Sequence, residues 1–139
     1  MNWLTWSLLS ALFAGLTAVL AKIGVTGIDS NLATAVRTAV VLVFASVVAL
    51  ATQPASAVLA WSGRTWLFLA LSGLATGCSW LCYFRALQLG DASKVAPIDK
   101  LSVVFVLVLA ALFLGEALTW KTALGGTLIT AGAIVLAWR

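Results

Sequence analysis

The residues of this sequence that could do chemistry are charged side chains placed inside long apolar stretches. Five of them are predicted to crowd one half of a membrane, namely Lys22, Arg37, Arg85, Asp99 and Lys100. A charge facing lipid at the centre of a bilayer costs about 2.5–3.5 kcal/mol. We therefore expect these side chains to face each other, water or a ligand.

Arg37 is the most informative of these residues because of its depth. It lies about six residues inside the second apolar stretch, or roughly 9 Å along a helix axis at 1.5 Å per residue. The long side chain either reaches outward to the lipid headgroups or faces an internal cavity. In the second case it pairs with Asp99 or with an anionic group of a substrate.

Asp99 is the carboxylate predicted to lie away from the helix ends, a turn inside the fourth apolar stretch. An unpaired buried aspartate tends to take up a proton, so Asp99 is a candidate proton-coupling group. The alternative is a fixed ion pair with Arg37, Arg85 or Lys22, and both interpretations stay open.

One face of the third apolar stretch combines glycine and aromatic residues and is a second candidate site. At about 100° per residue this face holds Gly73, Gly77, Trp80 and Phe84, with Thr76 and Tyr83 beside it. A glycine groove lined by Trp80, Tyr83 and Thr76 suits a flat or amphipathic organic solute. The alternative is that the aromatic side chains fill glycine notches on a neighbouring helix.

Five apolar stretches position these residues and fill most of the 139-residue chain. Apolar residues make up 63% of the chain and charged residues 9%, against about 25% charged in soluble domains. Within lipid, only helices satisfy every backbone group of such a chain. We predict an all-α integral membrane bundle in one domain, 1–139, with five transmembrane helices at about 3–25, 32–51, 64–89, 95–115 and 121–138.

Local signals refine these elements. Ser30 or Asn31 is predicted to cap the second helix, and Pro97 is predicted to lie in the first turn of the fourth. Six of the seven tryptophans fall near predicted helix ends or in a connection, as in an aromatic belt. Trp80 is the exception, and it forms either packed core or the wall of a cavity.

The basic residues predict an orientation. One side of the membrane receives Lys22, Arg37, Arg85, Lys94, Lys100 and Arg139, and the other receives Arg64 and Lys121. The positive-inside rule puts the larger set in the cytoplasm. The protein is thus predicted to lie in the cell (inner) membrane with its N-terminus outside the cell and its C-terminus in the cytoplasm. The net charge of +4 is interpreted as topogenic charge and contact with anionic membrane lipids, and nucleic acid is not expected as a partner.

The sequence lacks the constellations that enzymes leave. It has no histidine, and neither a nucleophile–base pair nor a phosphate-cradling loop can be named. No enzyme activity, cofactor or metal site is therefore predicted. Cys78 and Cys82 lie one turn apart within the third predicted helix, and two thiols without further ligands make a poor metal site. We interpret them as small packing residues.

Small residues recur at the spacing that lets helices approach closely in lipid. They are Ser10, Ala14 and Ala18 on the first helix, Gly73 and Gly77 on the third, and Gly125, Gly126, Thr130 and Gly132 on the fifth. They serve either ordinary packing within the chain or a dimer seam, for which the fifth helix is the best candidate.

Four runs of sequence form a recognisable pattern: Tyr83–Ser93, Ala96–Pro97, Leu114–Thr119 and Leu124–Gly132. Together they resemble the EamA family of the drug/metabolite transporter superfamily. Lys22 at the end of the first helix and Arg37 in the second match polar positions that recur in this family. The resemblance covers essentially the whole chain.

The resemblance implies five helices per domain, and family members most often fuse two such domains of inverted topology around a central substrate cavity. This chain has one domain and reads Ser102-Val103 where the family often has Ser-Pro, so a proline kink is not expected there. The chain also lacks the helix-one glutamate of the smaller four-helix multidrug relatives. Because one domain cannot build an inverted pair alone, we expect a homodimer or a partner subunit of opposite orientation. The charge bias argues for a single orientation and so against an antiparallel homodimer.

The leading hypothesis is a small EamA-like secondary transporter that moves a metabolite, an amino acid or a drug-like solute by alternating access, as a dimer. The proposed substrate-binding residues are Lys22, Arg37, Thr76, Trp80 and Tyr83, and the proposed coupling or ion-pair residues are Asp99 and Arg85. One alternative is a flippase for lipid-linked precursors, whose phosphate the basic cytoplasmic end would hold. Another is a membrane subunit that assists a larger complex without transporting.

Overall fold

The computed structural model describes residues 2–138, so Arg139, which was counted among the basic residues, lies outside the described residues. Six α-helices follow one another: α1 (Trp3–Gly24), α2 (Ser30–Thr52), α3 (Gly63–Leu89), α4 (Ala92–Asp99), α5 (Ser102–Leu109) and α6 (Trp120–Ala137). A 3₁₀-helix (Ala55–Ala60) precedes α3, and a π-helical turn (Ala110–Leu114) follows α5. The described residues contain no strand.

Five of these segments are long and apolar enough to cross a membrane. They are α1, α2, α3, α6 and the continuous span Ala92–Leu114, which comprises α4, α5 and the π-helical turn. The prediction of an all-helical protein with five membrane spans is thereby confirmed. Chain composition and segment length decide this result, because every backbone group in lipid needs a partner within its own segment.

The start of α2 differs from the sequence prediction. Asp29, and not Ser30 or Asn31, caps the helix: its carboxylate accepts hydrogen bonds of 2.9 Å from the backbone N–H groups of Asn31 and Leu32. A carboxylate at this position also interacts favourably with the positive end of the helix dipole. The helix therefore begins two residues before the predicted Leu32.

The fourth span is interrupted, although no proline stands at Val103. The helix begins at Ala92, so Pro97 lies inside α4 and not in its first turn. Around Lys100 and Leu101 the backbone N–H groups bond three residues back: Leu101 to Ile98 at 3.0 Å and Val104 to Leu101 at 2.9 Å. This tight turn separates α4 from α5, and such mid-helix 3₁₀ turns are typical of hinges and strained segments.

Cα packing divides the chain into two compact units, one of residues 1–20 and 89–139 and the other of residues 21–88. In the first unit, α6 packs against α4 and α5. Gly126 of α6 is buried, and a Cβ built on it would lie 3.1 Å from Leu107 Cδ1 of α5. Part of the small-residue face of the fifth span is therefore used within the chain.

Replacement of Gly126 tests this packing. Alanine in a helix is favoured over glycine by about 0.8–1 kcal/mol, so Gly132→Ala, whose Cβ meets no atom within 4 Å, is expected to raise the melting temperature in detergent. Gly126→Ala should gain less because Leu107 must move, and Gly126→Ile should melt clearly lower. Identical shifts for the two alanine variants would show that Gly126 is not packed as described.

Most apolar side chains of the spans are exposed. Between 6% and 11% of the residues in the apolar window of each span are buried. The described core consists of Ala18, Ala21, Val25, Phe84, Leu87, Ala110 and Ala133. In the native membrane, the remaining apolar surface must contact lipid or another protein chain.

Candidate substrate site

The side chain of Arg37 lies on aromatic rings of α3 within the 21–88 unit. Its Cζ is 4.2 Å from the ring centroid of Trp80 and 5.4 Å from that of Phe84. Both distances fall within the roughly 6 Å reach of a cation–π interaction, which is stronger where water is excluded. The structure thus brings together two of the predicted substrate-binding residues, Arg37 and Trp80.

The two aromatic residues reach Arg37 because of helix periodicity. Trp80 and Phe84 are four residues apart on α3, so they lie one above the other on one helix face, as the sequence predicted. Phe84 is buried, with 3% of its surface exposed, while Trp80 and Arg37 are half-buried. Phe84 therefore forms the buried part of this face, and the more exposed Trp80 makes the closer contact with the guanidinium.

This placement bears on the two interpretations of Arg37. A guanidinium that only reached for the headgroups would have no need of ring faces on a second helix. The contacts with Trp80 and Phe84 favour the internal-site hypothesis, which stays a prediction. Tyr83 is half-buried and directly precedes Phe84 on α3.

A second polar cluster joins the ends of α1 and α3 within the 21–88 unit. Lys22 Nζ donates a 2.6 Å hydrogen bond to the carbonyl oxygen of Leu87. The Gln88 side-chain amide donates to the carbonyl oxygens of Ile28 and Val25. We call Lys22 and Gln88, with their backbone acceptors, the carbonyl clasp.

Helix termini explain the carbonyl clasp. The last carbonyl groups of a helix have no partner within it and carry its negative dipole end. The ends of α1 and α3 come together here, and the ammonium group of Lys22 supplies both a donor and a compensating charge. Arg85 contributes indirectly, since its Nη1 donates a 2.9 Å hydrogen bond to Gln88 Oε1.

Sequence reasoning did not single out Gln88. The feature that could have identified Gln88 is an amide side chain in the last turn of a membrane helix, because the unpaired carbonyl groups there need donors. Lys22, by contrast, was predicted as a substrate ligand, and the structure gives its ammonium group a backbone acceptor. Its contact with substrate stays a prediction.

The remaining residues of the predicted groove are more open. Thr76 is exposed, and its hydroxyl donates a 2.9 Å hydrogen bond to the carbonyl oxygen of Ser72. A Cβ built on Gly73 or Gly77 meets no atom within 4 Å. Within the 21–88 unit, nothing packs closely against these two glycines, and the packing of the α3 aromatic rings into glycine notches of a neighbouring helix stays an open alternative.

Asp99 belongs to the other unit and lies at the interruption of the fourth span. Its carboxylate is 3.4 Å from the ammonium nitrogen of Lys100, with both side chains partly exposed. The predicted pairing with Arg37, Arg85 or Lys22 would join the two units and stays a prediction. Within residues 2–138, no group of three His, Cys, Asp or Glu side chains could hold a metal ion.

These features define a class: a helical, multi-pass membrane protein with a cation held on aromatic rings inside one of its spans. The chain belongs to the EamA-like transporter family, whose model matches residues 1–138. It is also similar to a curated protein of Sinorhizobium sp. named "Uncharacterized transporter in cobO 3′ region". The two are 56% identical over 136 residues, which cover 98% of this chain and 96% of the relative. No solved structure matches the chain.

The comparisons confirm the family predicted from the sequence. EamA proteins form part of the drug/metabolite transporter superfamily, so the chain is of the drug/metabolite-transporter type. The relative is of nearly the same length, so its sequence also has room for a single five-helix repeat.

Proposed function

We propose that this protein is the subunit of a small secondary transporter that moves a metabolite, an amino acid or a drug-like solute by alternating access. Family membership supports transport in general. The observation that carries the more specific proposal is the Arg37 guanidinium, which lies within a membrane span with its carbon 4.2 Å from the ring centroid of Trp80. A cation inside a span is costly in lipid, and such residues often mark substrate or ion pathways.

A dimer is part of the proposal. The described spans leave most of their apolar surface uncovered, and the open face at Gly73 and Gly77 offers close approach for another helix. A parallel homodimer and a partner subunit of opposite orientation both remain compatible with this surface.

The purified protein in proteoliposomes provides the test. We expect uptake or counterflow of at least one solute from a panel of labelled amino acids, organic acids and cationic dyes. Absence of any flux, together with constant copurification with a larger complex, would instead support an accessory subunit. Competition by lipid phosphates and by none of the small solutes would support the flippase.

Orientation gives a separate prediction. With the basic residues on the cytoplasmic side, a fluorescent protein fused after Arg139 is expected to fold and fluoresce, and alkaline phosphatase at the same point to be inactive. The same two reporters at the N-terminus should give the opposite signals. Activity of both reporters at one site would show two orientations and would make an antiparallel homodimer possible.

Asp99 provides a test of coupling. If its carboxylate carries the coupling proton, Asp99→Asn should abolish accumulation driven by a pH gradient and preserve counterflow, which needs no driving ion. The neighbouring Lys100→Gln, which removes the ion-pair partner, serves as the matched control. A loss of thermal stability common to both variants, with accumulation retained, would identify a structural pair instead.

A further inference from the structure

We propose that Arg37 binds an oxyanion, so that the ligand of this site carries a carboxylate or phosphate group. This inference rests on the proposed function, because it names the substrate class of the same site. The one-sided charge of the 21–88 unit and the manner in which Arg37 is held both support it.

The 21–88 unit contains more cations than anions. Its basic residues are Lys22, Arg37, Arg64 and Arg85, and its single carboxylate is Asp29. Asp29 is already engaged at the start of α2, where it accepts hydrogen bonds from two backbone N–H groups. The unit therefore contains no carboxylate that is available to neutralise Arg37.

The other two cations at this end of the unit have protein acceptors. Lys22 donates to the carbonyl oxygen of Leu87, and Arg85 donates to Gln88. Arg37 is different, because within the 21–88 unit it forms neither an ion pair nor a hydrogen bond. Its contacts are with the rings of Trp80 and Phe84, whose centroids lie 4.2 Å and 5.4 Å from the guanidinium carbon.

The N–H donors of Arg37 therefore have no protein acceptor within the 21–88 unit. A guanidinium is planar, and its five N–H donors lie around the edge in a fork that matches the two oxygens of a carboxylate or phosphate. The contacts with the two rings hold the group in place, and none of its donors has a hydrogen-bond acceptor within the 21–88 unit. The site is thus pre-organised for one oxyanion, and pre-organisation reduces the entropy lost on binding.

Two sources could supply this chemistry: a soluble organic anion or the phosphate of a membrane lipid. Trp80, which contacts the guanidinium, and Tyr83, half-buried on the same helix, offer apolar surface for the body of a small solute. The experiment includes both sources.

The test compares an anion with its neutral isostere on the full-length protein in detergent. Indole-3-acetate is expected to raise the melting temperature, and indole-3-acetamide, which has the same shape without the charge, is expected to have little effect. Benzoate with benzamide, and phenyl phosphate with phenol, extend the comparison to other oxyanions. Dodecyl phosphate with dodecanol represents a lipid phosphate.

The variants are Arg37→Gln and the matched control Arg64→Gln, an arginine that also lies over a ring, 5.7 Å from Phe68. Charge-assisted hydrogen bonds of this kind correspond to a loss of affinity of about tenfold or more on removal. We expect this loss in Arg37→Gln and none in Arg64→Gln. If Arg37→Gln does not fold, Arg37→Lys retains the charge without the fork and should bind more weakly.

Each outcome has a defined meaning. Equal effects of every anion and its neutral isostere on the wild-type protein, or an equal loss in both arginine variants, would overturn the inference. Stabilisation by dodecyl phosphate and by none of the soluble anions would support the oxyanion site and identify its ligand as a lipid. Anion binding without flux would refute the transport proposal alone, and flux of neutral solutes that is unaffected in Arg37→Gln would refute the substrate class alone.

Discussion

Arg37→Ala is expected to reduce solute flux in proteoliposomes by roughly 10- to 150-fold. The substitution removes the charged donors that we assign to the ligand, and charge-assisted hydrogen bonds contribute about 1.5–3 kcal/mol each. It also uncovers the Trp80 ring, which is now 4.2 Å from the guanidinium carbon. The measurement is the initial rate of labelled indole-3-acetate uptake at equal amounts of reconstituted protein.

Arg64→Ala is the control for this prediction. Arg64 lies at the opposite end of α3 and also faces an aromatic ring. Arg64→Ala therefore removes the same guanidinium group from a ring, but away from the proposed site. Its flux should stay close to that of the wild type. Unchanged flux in both Arg37→Ala and Asp99→Asn would reject the proposed pathway residues, and equal reductions at Arg37 and Arg64 would indicate a general effect of charge.

Lys22→Met is expected to give the largest loss of stability among single substitutions at the carbonyl clasp. The ammonium group donates to the carbonyl oxygen of Leu87, a residue with no exposed surface. Leaving a buried polar group unsatisfied costs about 1–3 kcal/mol. The melting temperature of the purified protein in detergent should therefore fall by several degrees. Lys22→Arg, which keeps a charged donor, should show a smaller fall.

Lys121→Met provides a matched comparison for Lys22→Met. Lys121 is exposed in the first turn of α6, so the same change of side chain there should leave the melting temperature nearly unchanged. Gln88→Leu removes the other donor of the carbonyl clasp and should lower the stability in the same direction. If Lys22→Met melts like Lys121→Met, the hydrogen bond to Leu87 makes no net contribution, and substrate contact becomes the better explanation of Lys22.

Particular elements show why some sequence predictions succeeded and others failed. The five spans are recoverable because hydrophobicity is a property of each segment by itself. The cap of α2 was wrongly placed on Ser30 or Asn31, because three adjacent residues, Asp29 included, can all cap a helix and only the backbone geometry selects one. The break at Lys100 and Leu101 was not predicted, because no proline or glycine stands there to announce it.

The candidate site shows the same division. Helix periodicity was enough to predict that Trp80 and Phe84 lie on one helix face. The cost of placing a charge in lipid was enough to identify Arg37 as a candidate. That the guanidinium lies over these rings depends on where α2 lies relative to α3, which no local pattern records. Gln88 was overlooked for this reason, since its acceptors near the end of α1 lie 60 and 63 residues away.

The sequence by itself determined that this protein is a helical membrane transporter of the EamA type, because composition, segment length and family motifs are read residue by residue. Only the tertiary structure decided which charges have partners. It gave Lys22 a carbonyl acceptor 65 residues away, and within the 21–88 unit it gave Arg37 contacts with the rings of Trp80 and Phe84. The physical reason is that a membrane helix forms from its own hydrogen bonds, whereas the pairing of a charge requires a second helix at the right distance and rotation.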